Sequence, residues 1–409
     1  MKRIIVVGGG PAGILAAYFA SKEGNEVILL EKNDRLGKKL RITGKGRCNI
    51  TNACDIEDFI NNMCVNNSFM YSSFYSFTND NALELFKKYG LDYKEERGKR
   101  IFPRSDKAID FIKVLEDMLK DFKVKIKFNS SVKEIIIDSD KNIKAIKLKD
   151  KSTIQCDSLI LATGGRSYPK TGSTGDGYEI AKKLGHSIIK PKPALIGLET
   201  KEKIEKNQIG LILKNISIDL YENDRKVYSD FGELEYREYG IDGPTIKSAS
   251  CHIKNPKNCK IIVNLKPALS KEKLDKRIQR DFEKYSKSNF KEGLKGLLHR
   301  SMINTIVERT GINSEKPISQ INKMERKKLI EAISSFTYNI DDFRKIDEAI
   351  VTSGGIDVKD IDPHTMESKK VNNLYFAGEI IDVHAYTGGF NLQIAYSTAY
   401  LAGTNASEE

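Results

Sequence analysis

No apolar run in these 409 residues approaches the roughly 20 needed to cross a bilayer. The amino terminus lacks the shape of a secretion signal, because Ile4 to Val7 runs straight into Gly8, Gly9 and Gly10. Cysteine is scarce: six residues, at 48, 54, 64, 156, 251 and 259, do not make a disulfide framework in a chain this long. Among five histidines, none pairs with another His or with Cys at metal-ligand spacing. Ten prolines and 30 glycines exclude collagenous and disordered chains. Membrane-spanning, secreted and fibrous classes are thereby set aside. The expectation is a reduced, cytoplasmic, metal-free protein of two to three domains, at about 150 residues each.

The 68 basic and 56 acidic residues leave a net charge of +12. Lys and Glu are interleaved rather than blocked, which reads first as solvated helix faces. An anionic cofactor or a nucleic acid would also suit that balance.

The most informative stretch is residues 2–31. Ile4-Ile5-Val6-Val7 is a short β-branched run of the kind buried in parallel sheets. Gly8-Gly9-Gly10-Pro11-Ala12-Gly13 follows, then an apolar helical pattern closing at Gly24. Glu26 to Leu30 reads as the next strand, with Glu31 at its carboxyl end, 21 residues beyond Gly10. Strand, Gly-x-Gly-x-x-Gly turn, helix, strand and acid together make a dinucleotide-binding unit. Gly8 serves the tight turn, Gly10 the approach of backbone to a pyrophosphate, and Gly13 the packing of helix on strand. The helix amino terminus, with Pro11 and Ala12, offers free N–H groups and positive dipole. Glu31 can accept from ribose hydroxyls, while Lys32 follows it and Gly37 and Lys38 open a basic, glycine-spaced loop. These residues leave NAD and FAD both open.

That loop continues as Gly44-Lys45-Gly46-Arg47-Cys48-Asn49-Ile50-Thr51-Asn52. It resembles the Gly-x-Gly-Arg-Cys-Asn-x-Thr-Asn pattern of the BaiN/YhiN-like flavoproteins, which include aminoacetone oxidases. The resemblance implies non-covalent FAD in an α/β, Rossmann-like domain of the two-dinucleotide-binding type, with Gly46, Arg47, Cys48 and Asn49 at the cofactor. It implies an inserted small β-barrel and a helical subdomain as well. Two further stretches agree with it. Asp157 to Leu161 reads as a buried strand ending in Ala162-Thr163-Gly164-Gly165, which places Thr163 and Gly164 beside the cofactor, with Val132 a further contact. Asn373 to Phe376 leads into Ala377-Gly378-Glu379, Asp382 and then Gly388-Gly389-Phe390-Asn391. In the family's closing motif, acids such as Glu379 and Asp382 reach ribityl or phosphate groups. The Gly388-Gly389 pair then opens a helix at the flavin pyrimidine edge, where its dipole favours negative charge. His384 and Tyr386 lie in this motif and are the candidate catalytic residues, as proton donor or substrate contact.

Between 191 and 345 the strand–helix alternation stops. The expected organisation is a flavin domain of 1–190 plus 345–409, an inserted β domain at 191–268 and a helical subdomain at 269–344. Ile216 to Tyr221, Lys226 to Tyr236 and Lys260 to Leu265 read as strands. Leu274, Ile278 and Phe282 lie at i, i+4 and i+8 of the first of three helices. Ser105, after Arg100-Ile101-Phe102-Pro103-Arg104, is the expected cap of another helix.

Cys48 and Cys54 have five residues between them, against four in flavin disulfide reductases, and no second dinucleotide fingerprint follows. Cys48 therefore reads as a buried packing residue. Gly240-Ile241-Asp242-Gly243-Pro244 carries Asp242 where the resembled family usually has Ser. Tyr236-Arg237-Glu238 replaces its Phe-Thr-His, which puts a transferred substrate in doubt. Arg166, Tyr168 and Lys170 read as surface residues.

The expected activity is an FAD oxidoreductase taking electrons transiently from NAD(P)H and acting on a small-molecule substrate. The preferred reaction is reduction of an activated C=C in a hydrophobic enone of bile-acid or steroid type. One alternative is an aminoacetone-type amine oxidase using O₂. Another is an RNA-modifying or RNA-binding flavoprotein, suggested by a basic excess of about eight over residues 266–345. No aromatic–basic stacking pattern accompanies that excess, so no stable nucleic-acid partner and no membrane partner are expected.

Overall fold

The computed structural model describes residues 1–408. It divides into two compact units, Met1–Ala194 with Lys345–Glu409, and Leu195–Arg344.

The first unit is built on five parallel strands in the order Leu374–Phe376, Ser158–Leu161, β1 (Arg3–Val7), β2 (Glu26–Leu30) and Lys125–Lys127. These runs are rich in Ile, Val and Leu because both faces are covered, and Ile4, Ile5, Val6, Leu159 and Ile160 are fully buried. Helix α1 (Pro11–Ser21) is apolar nearly all round and every residue from Ala12 to Ser21 is buried. It is covered by the carboxy-terminal helix Phe390–Ser407, where Phe19 meets Tyr400 edge-on at 4.9 Å. A separate antiparallel sheet, Val132–Ile137, Ile143–Leu148 and Thr153–Gln155, precedes the strand Ser158–Leu161.

The helix expected to be capped by Ser105 begins later, at Ala108, with Lys107 at its N-cap. Asp106 is the cause. It sits at φ 59°, its carboxylate drawn to Arg47 and Lys94, so the chain turns once more before the helix can start. Ser105 Oγ accepts from Lys107 N within that turn.

In the second unit, six antiparallel strands close into a barrel in the order Leu198–Thr200, Gly240–Asp242, Arg225–Arg237, Ile212–Glu222, Cys259–Asn264 and Phe336–Phe343. Closure leaves no free sheet edge. The sixth strand lies beyond the helices, in the stretch expected to be helical. Phe336, Tyr338 and Ile340 alternate inward there, and the Arg309 guanidinium lies 3.6 Å over the Phe336 ring. The β and helical parts lie together in the compact unit Leu195–Arg344. Its helices include Lys271–Lys284, Arg300–Thr310 and Lys323–Ser334, with a short helical turn, Phe290–Gly293, between the first two of these. Leu274, Ile278 and Phe282 form the buried stripe of the first.

Candidate functional site

The glycine turn leaves β1 at Gly8, whose N–H donates to Leu30 O at 2.8 Å across to β2. Gly8 has φ 113° and Gly13 lies directly over it: a Cβ on Gly13 would sit 1.8 Å from Gly8 O. Only glycine permits that approach of helix to turn. Gly10 is the N-cap of α1, with Pro11 at the first helical position, and a Cβ on Gly10 would meet nothing within 4 Å. The first N–H groups of α1 thus open onto free approach beside Ala12.

Glu31 is buried at the end of β2. Its carboxylate accepts from Gly9 N, Asn33 N and Asn33 Nδ2, each at 2.7 Å. A carboxylate has about four acceptor positions, so one remains for a hydroxyl. Val132 is buried close by, because Ser130 N donates to Glu31 O at 2.9 Å and Asn129 N to Asn33 O at 3.0 Å. Lys32 reaches Thr174 and Asp176, and Lys38 reaches Asn33 Oδ1 at 3.3 Å, so both lysines are held around Glu31.

Gly37 ties the next loop to the turn through its N–H to Gly9 O at 2.8 Å. The chain then passes through left-handed backbone at Lys45, Gly46 and Cys48. Arg47 points its guanidinium into Glu96 and Asp106 and over the Phe102 ring at 4.2 Å, so its charge is neutralised within the protein. Cys48 is fully buried, and burial pushes its thiol up to about 12, which suits packing and opposes thiolate chemistry. Cys54 is likewise pushed up to about 12, and neither residue is in a disulfide.

This loop is seated on the carboxy-terminal helix. Gly389, its N-cap at φ 101°, lies so close that a Cβ would be 2.4 Å from Thr51 O. Asn52 Nδ2 donates to Gly388 O at 3.0 Å, Thr51 Oγ1 to Gln393 at 2.9 Å, and Tyr396 OH to Ile50 O at 3.1 Å. Phe390 packs edge-on against Phe59 at 5.2 Å. The strand Arg100–Pro103 pairs with Thr51–Asn52 and braces the segment from its other side.

Gly378 N donates to Thr398 Oγ1 at 2.9 Å, holding the Ala377-Gly378-Glu379 turn against the same helix. The two acids of this motif are engaged by protein donors. Glu379 takes Thr352 N at 2.9 Å, Ser167 Oγ at 3.1 Å and Lys39 Nζ at 2.8 Å. Asp382 takes Gly354 N at 2.9 Å and Asn66 Nδ2 at 3.2 Å, while burial raises its pKa above the ordinary carboxylate value. Asn391 accepts from Ala385 N at 3.0 Å and donates to Ala385 O at 2.8 Å and Tyr386 O at 3.2 Å. It fixes the segment carrying both candidate catalytic residues. Tyr386 is half-buried, and its N–H donates to Asn62 O at 3.0 Å. His384 is 1% exposed and neither ring nitrogen has a hydrogen-bond partner.

The four motifs are thus brought together in the first unit. The residues that complete them and that motif reading did not single out are Asn66, Ser167 and Thr352, which orient the two acids, and Lys39 and Gln393. Lys39 follows Lys38 directly and Gln393 lies two residues beyond Asn391, whereas Asn66, Ser167 and Thr352 carry no local signal.

In the second unit, Asp242 is buried and takes Tyr239 OH at 2.9 Å, Gly243 N at 2.7 Å and the Lys247 ammonium. Lys247 and these donors hold it below the usual carboxylate range despite burial. Tyr236 is fully buried inside the barrel, where it accepts from Tyr338 OH at 2.8 Å.

The donor set fits an extended dinucleotide. Open approach at Gly10 faces the start of a helix, and Asn49 Oδ1 and Thr163 Oγ1 are buried without partners along the same line of motifs. Buried polar atoms of this kind normally find a partner, so a polar ligand is called for. The family model described as HI0933-like protein Rossmann domain matches residues 2–405. The chain belongs to that family. This HI0933-like protein is 31% identical over 418 residues to the 3-dehydro-bile acid delta(4,6)-reductase of Clostridium scindens, covering all of both chains. It is 28% identical to the ribosomal RNA dihydrouridine synthase of Haemophilus influenzae, over 99% of this chain and 98% of that one. A solved structure, the 3-ketosteroid-delta4-(5alpha)-dehydrogenase of Rhodococcus jostii, shares the fold with TM-score 0.56 at 13% identity, over 100% of this chain and 97% of that one. The HI0933-like protein is an FAD-dependent oxidoreductase with a Rossmann-type flavin domain and a small closed barrel. Among its described residues, no helix is long and apolar enough to cross a membrane.

Proposed function

We propose that this chain saturates a C=C bond conjugated to a carbonyl, in a hydrophobic enone of bile-acid or steroid type, drawing electrons from NADH or NADPH in the cytoplasm. FAD, when bound and reduced, supplies the hydride for the β-carbon of such a bond. The residues assigned to it are the Gly8–Gly13 turn, Glu31 and Val132, the loop 46–49, Thr163 and Gly164, and the turn from Gly388 to Asn391. With a single glycine fingerprint for FAD, a nicotinamide can only come and go.

The observation that carries the reading is His384. A buried imidazole with both nitrogens unpartnered, clamped through Asn391 to the amino terminus of the last helix, is placed to handle the proton that must follow the hydride. Tyr386, on the same clamp, can polarise the carbonyl. The helix terminus at Gly389 favours the negative charge that develops nearby. The activities for which these two relatives are named support the direction of electron flow. One is a 3-dehydro-bile acid delta(4,6)-reductase. The other makes dihydrouridine, the product of saturating the C5=C6 bond that uridine conjugates to its C4 carbonyl.

The second relative favours a second reading, in which the reducible bond belongs to a uridine in RNA. The unit Leu195–Arg344 supports it, with 29 basic against 22 acidic residues, a net +7. The experiment supplies the FAD-loaded protein and NAD(P)H with a 4-en-3-one steroid, a 3-oxo-4,6-diene bile acid, or unmodified ribosomal RNA, and follows mass. A gain of two hydrogens on steroid or bile acid supports the proposal. The same gain on uridine alone replaces it with the RNA reading. Peroxide formed from aminoacetone in air, with no substrate reduced, refutes both.

A further inference from the structure

We infer that the loop 166–175 is a gate on the dinucleotide site and that Lys32 and Lys39 are its latches, setting how fast FAD enters and leaves. The inference rests on the assignment of FAD to the Gly8–Gly13 turn and Glu31. It is independent of which substrate the flavin reduces.

The loop leaves the turn Thr163-Gly164-Gly165 and ends where the helix Asp176–Lys183 begins. Its two ends lie close. A Cβ on Gly164 would sit 3.3 Å from Ser173 Oγ, and one on Gly175 would sit 3.8 Å from Arg166 Cδ. The N–H groups of Thr171, Gly172 and Thr174 donate to Tyr168, Pro169 and Gly172, all within the loop itself. A surface loop with neighbouring ends, closed on its own backbone, can move as one piece. Tyr168, Gly172 and Gly175 take left-handed backbone at φ 52°, 110° and 85°, and small residues at such points serve as hinges.

What fastens the loop comes from one short stretch after Glu31. Lys32 Nζ donates to Thr174 Oγ1 at 2.6 Å and pairs with Asp176 at 2.9 Å. Asn33 Nδ2 donates both to Glu31 Oε1 at 2.7 Å and to Thr171 O at 3.1 Å, so the loop is tied to the ribose acid. Gly172 passes so near that a Cβ there would be 2.6 Å from Asn33 Nδ2. At the other end Lys39 Nζ donates to Ser167 Oγ at 2.7 Å and to Glu379 at 2.8 Å. Thr352 Oγ1 accepts from the N–H groups of Arg166 and Ser167 at 2.8 and 3.1 Å. The loop therefore joins two motifs assigned to the cofactor, Glu31 and the Ala377-Gly378-Glu379 turn. Both lysine pairs have side chains between 22% and 33% exposed, so water competes for them and each can open.

A latch and a cofactor contact predict different kinetics. A gate admits and releases its ligand through the same motion, so weakening its latch raises both rate constants and leaves their ratio unchanged. A lysine in contact with the pyrophosphate would, on removal, speed release alone. Losing a cation also weakens the attraction for an anionic cofactor, so faster uptake cannot come from charge.

Stopped-flow fluorescence of apoprotein mixed with FAD measures uptake. Exchange of radiolabelled bound FAD against excess unlabelled FAD measures release. Lys32→Met and Lys39→Met should each raise both rate constants about fivefold, with Kd within about twofold of the wild type. The double variant should reach about 25-fold, since the two lysines share no partner. Hydrogen exchange at residues 168–175 of the apoprotein should quicken while β1 and β2 stay protected, which separates an opened loop from a lost fold. Wild-type uptake and release in the double variant overturns the gate. Faster release with unchanged uptake also overturns it, making the lysines direct contacts. Wild-type FAD affinity in Gly10→Ala, with loop exchange still quickened by the lysine substitutions, locates the failure in the cofactor assignment and removes the gating role with it.

Discussion

Gly10 and Gly13 stand three residues apart in one turn, yet the structure gives them separable jobs. Substituting each by Ala should separate folding from cofactor binding. A Cβ at position 13 would lie 1.8 Å from Gly8 O, so the start of α1 must retreat by about 1.6 Å to reach ordinary contact. Such overpacking costs about 1–3 kcal/mol, and the better helix propensity of Ala returns about 1 kcal/mol of it. A net loss of up to about 2 kcal/mol lowers Tm by about 4–8 °C for a unit of this size. At position 10 a Cβ meets no atom within 4 Å, and the backbone, at φ −82° and ψ 178°, accepts any residue. The loss of Gly at an N-cap is offset by the stiffer unfolded chain, so apo stability should stay within about 0.5 kcal/mol. The same Cβ stands where backbone must approach a pyrophosphate, which predicts a 10- to 100-fold loss of FAD affinity. Thermal unfolding of apoprotein and quenching of flavin fluorescence on titration measure the two effects. Wild-type FAD affinity in Gly10→Ala would refute the assignment of this turn to the cofactor.

Glu31→Ala removes the acceptor of three N–H bonds at a buried position, and should cost about 1–3 kcal/mol in urea unfolding as well as weakening FAD. Arg47→Ala should cost no more than about 1 kcal/mol, because its ion pairs are partly exposed, and should change FAD affinity less than threefold; a loss above tenfold would assign the guanidinium to the cofactor instead. The Cys48 thiol keeps its proton in the folded state until about pH 12, while the unfolded thiol releases its own near 9. Its stabilising contribution is therefore complete below pH 9 and is lost as pH rises from 9 to 12, by up to about 1.4 kcal/mol per pH unit. Cys48→Ala should flatten the alkaline decline of Tm, and an unchanged slope would show that the thiol is not buried.

Much of the flavin domain was legible because its signals are local. A β-branched run, three spaced glycines and an acid at the next strand end fall within 31 residues, and the glycines after Thr387 mark a helix start that the structure places at Phe390. What could not be read depends on contacts between distant segments. Ser167, Thr352 and Asn66, which hydrogen-bond Glu379 and Asp382, are not near them in sequence. The partners of Arg47, Glu96 and Asp106, lie 49 and 59 residues away and reach its guanidinium only in the folded chain. The last barrel strand, Phe336–Phe343, was hidden because it pairs with Leu198–Thr200 and Cys259–Asn264 across the intervening helices.

The central claim is that electrons pass from a nicotinamide to a conjugated C=C. The most direct measurement follows the visible absorbance of bound FAD in the absence of oxygen. The account predicts bleaching by NADH or NADPH, then full recovery of the oxidised spectrum on adding a steroid or bile-acid enone, with one substrate reduced per flavin. Flavin that nicotinamides leave oxidised but aminoacetone bleaches, with peroxide released on admitting air, would contradict it.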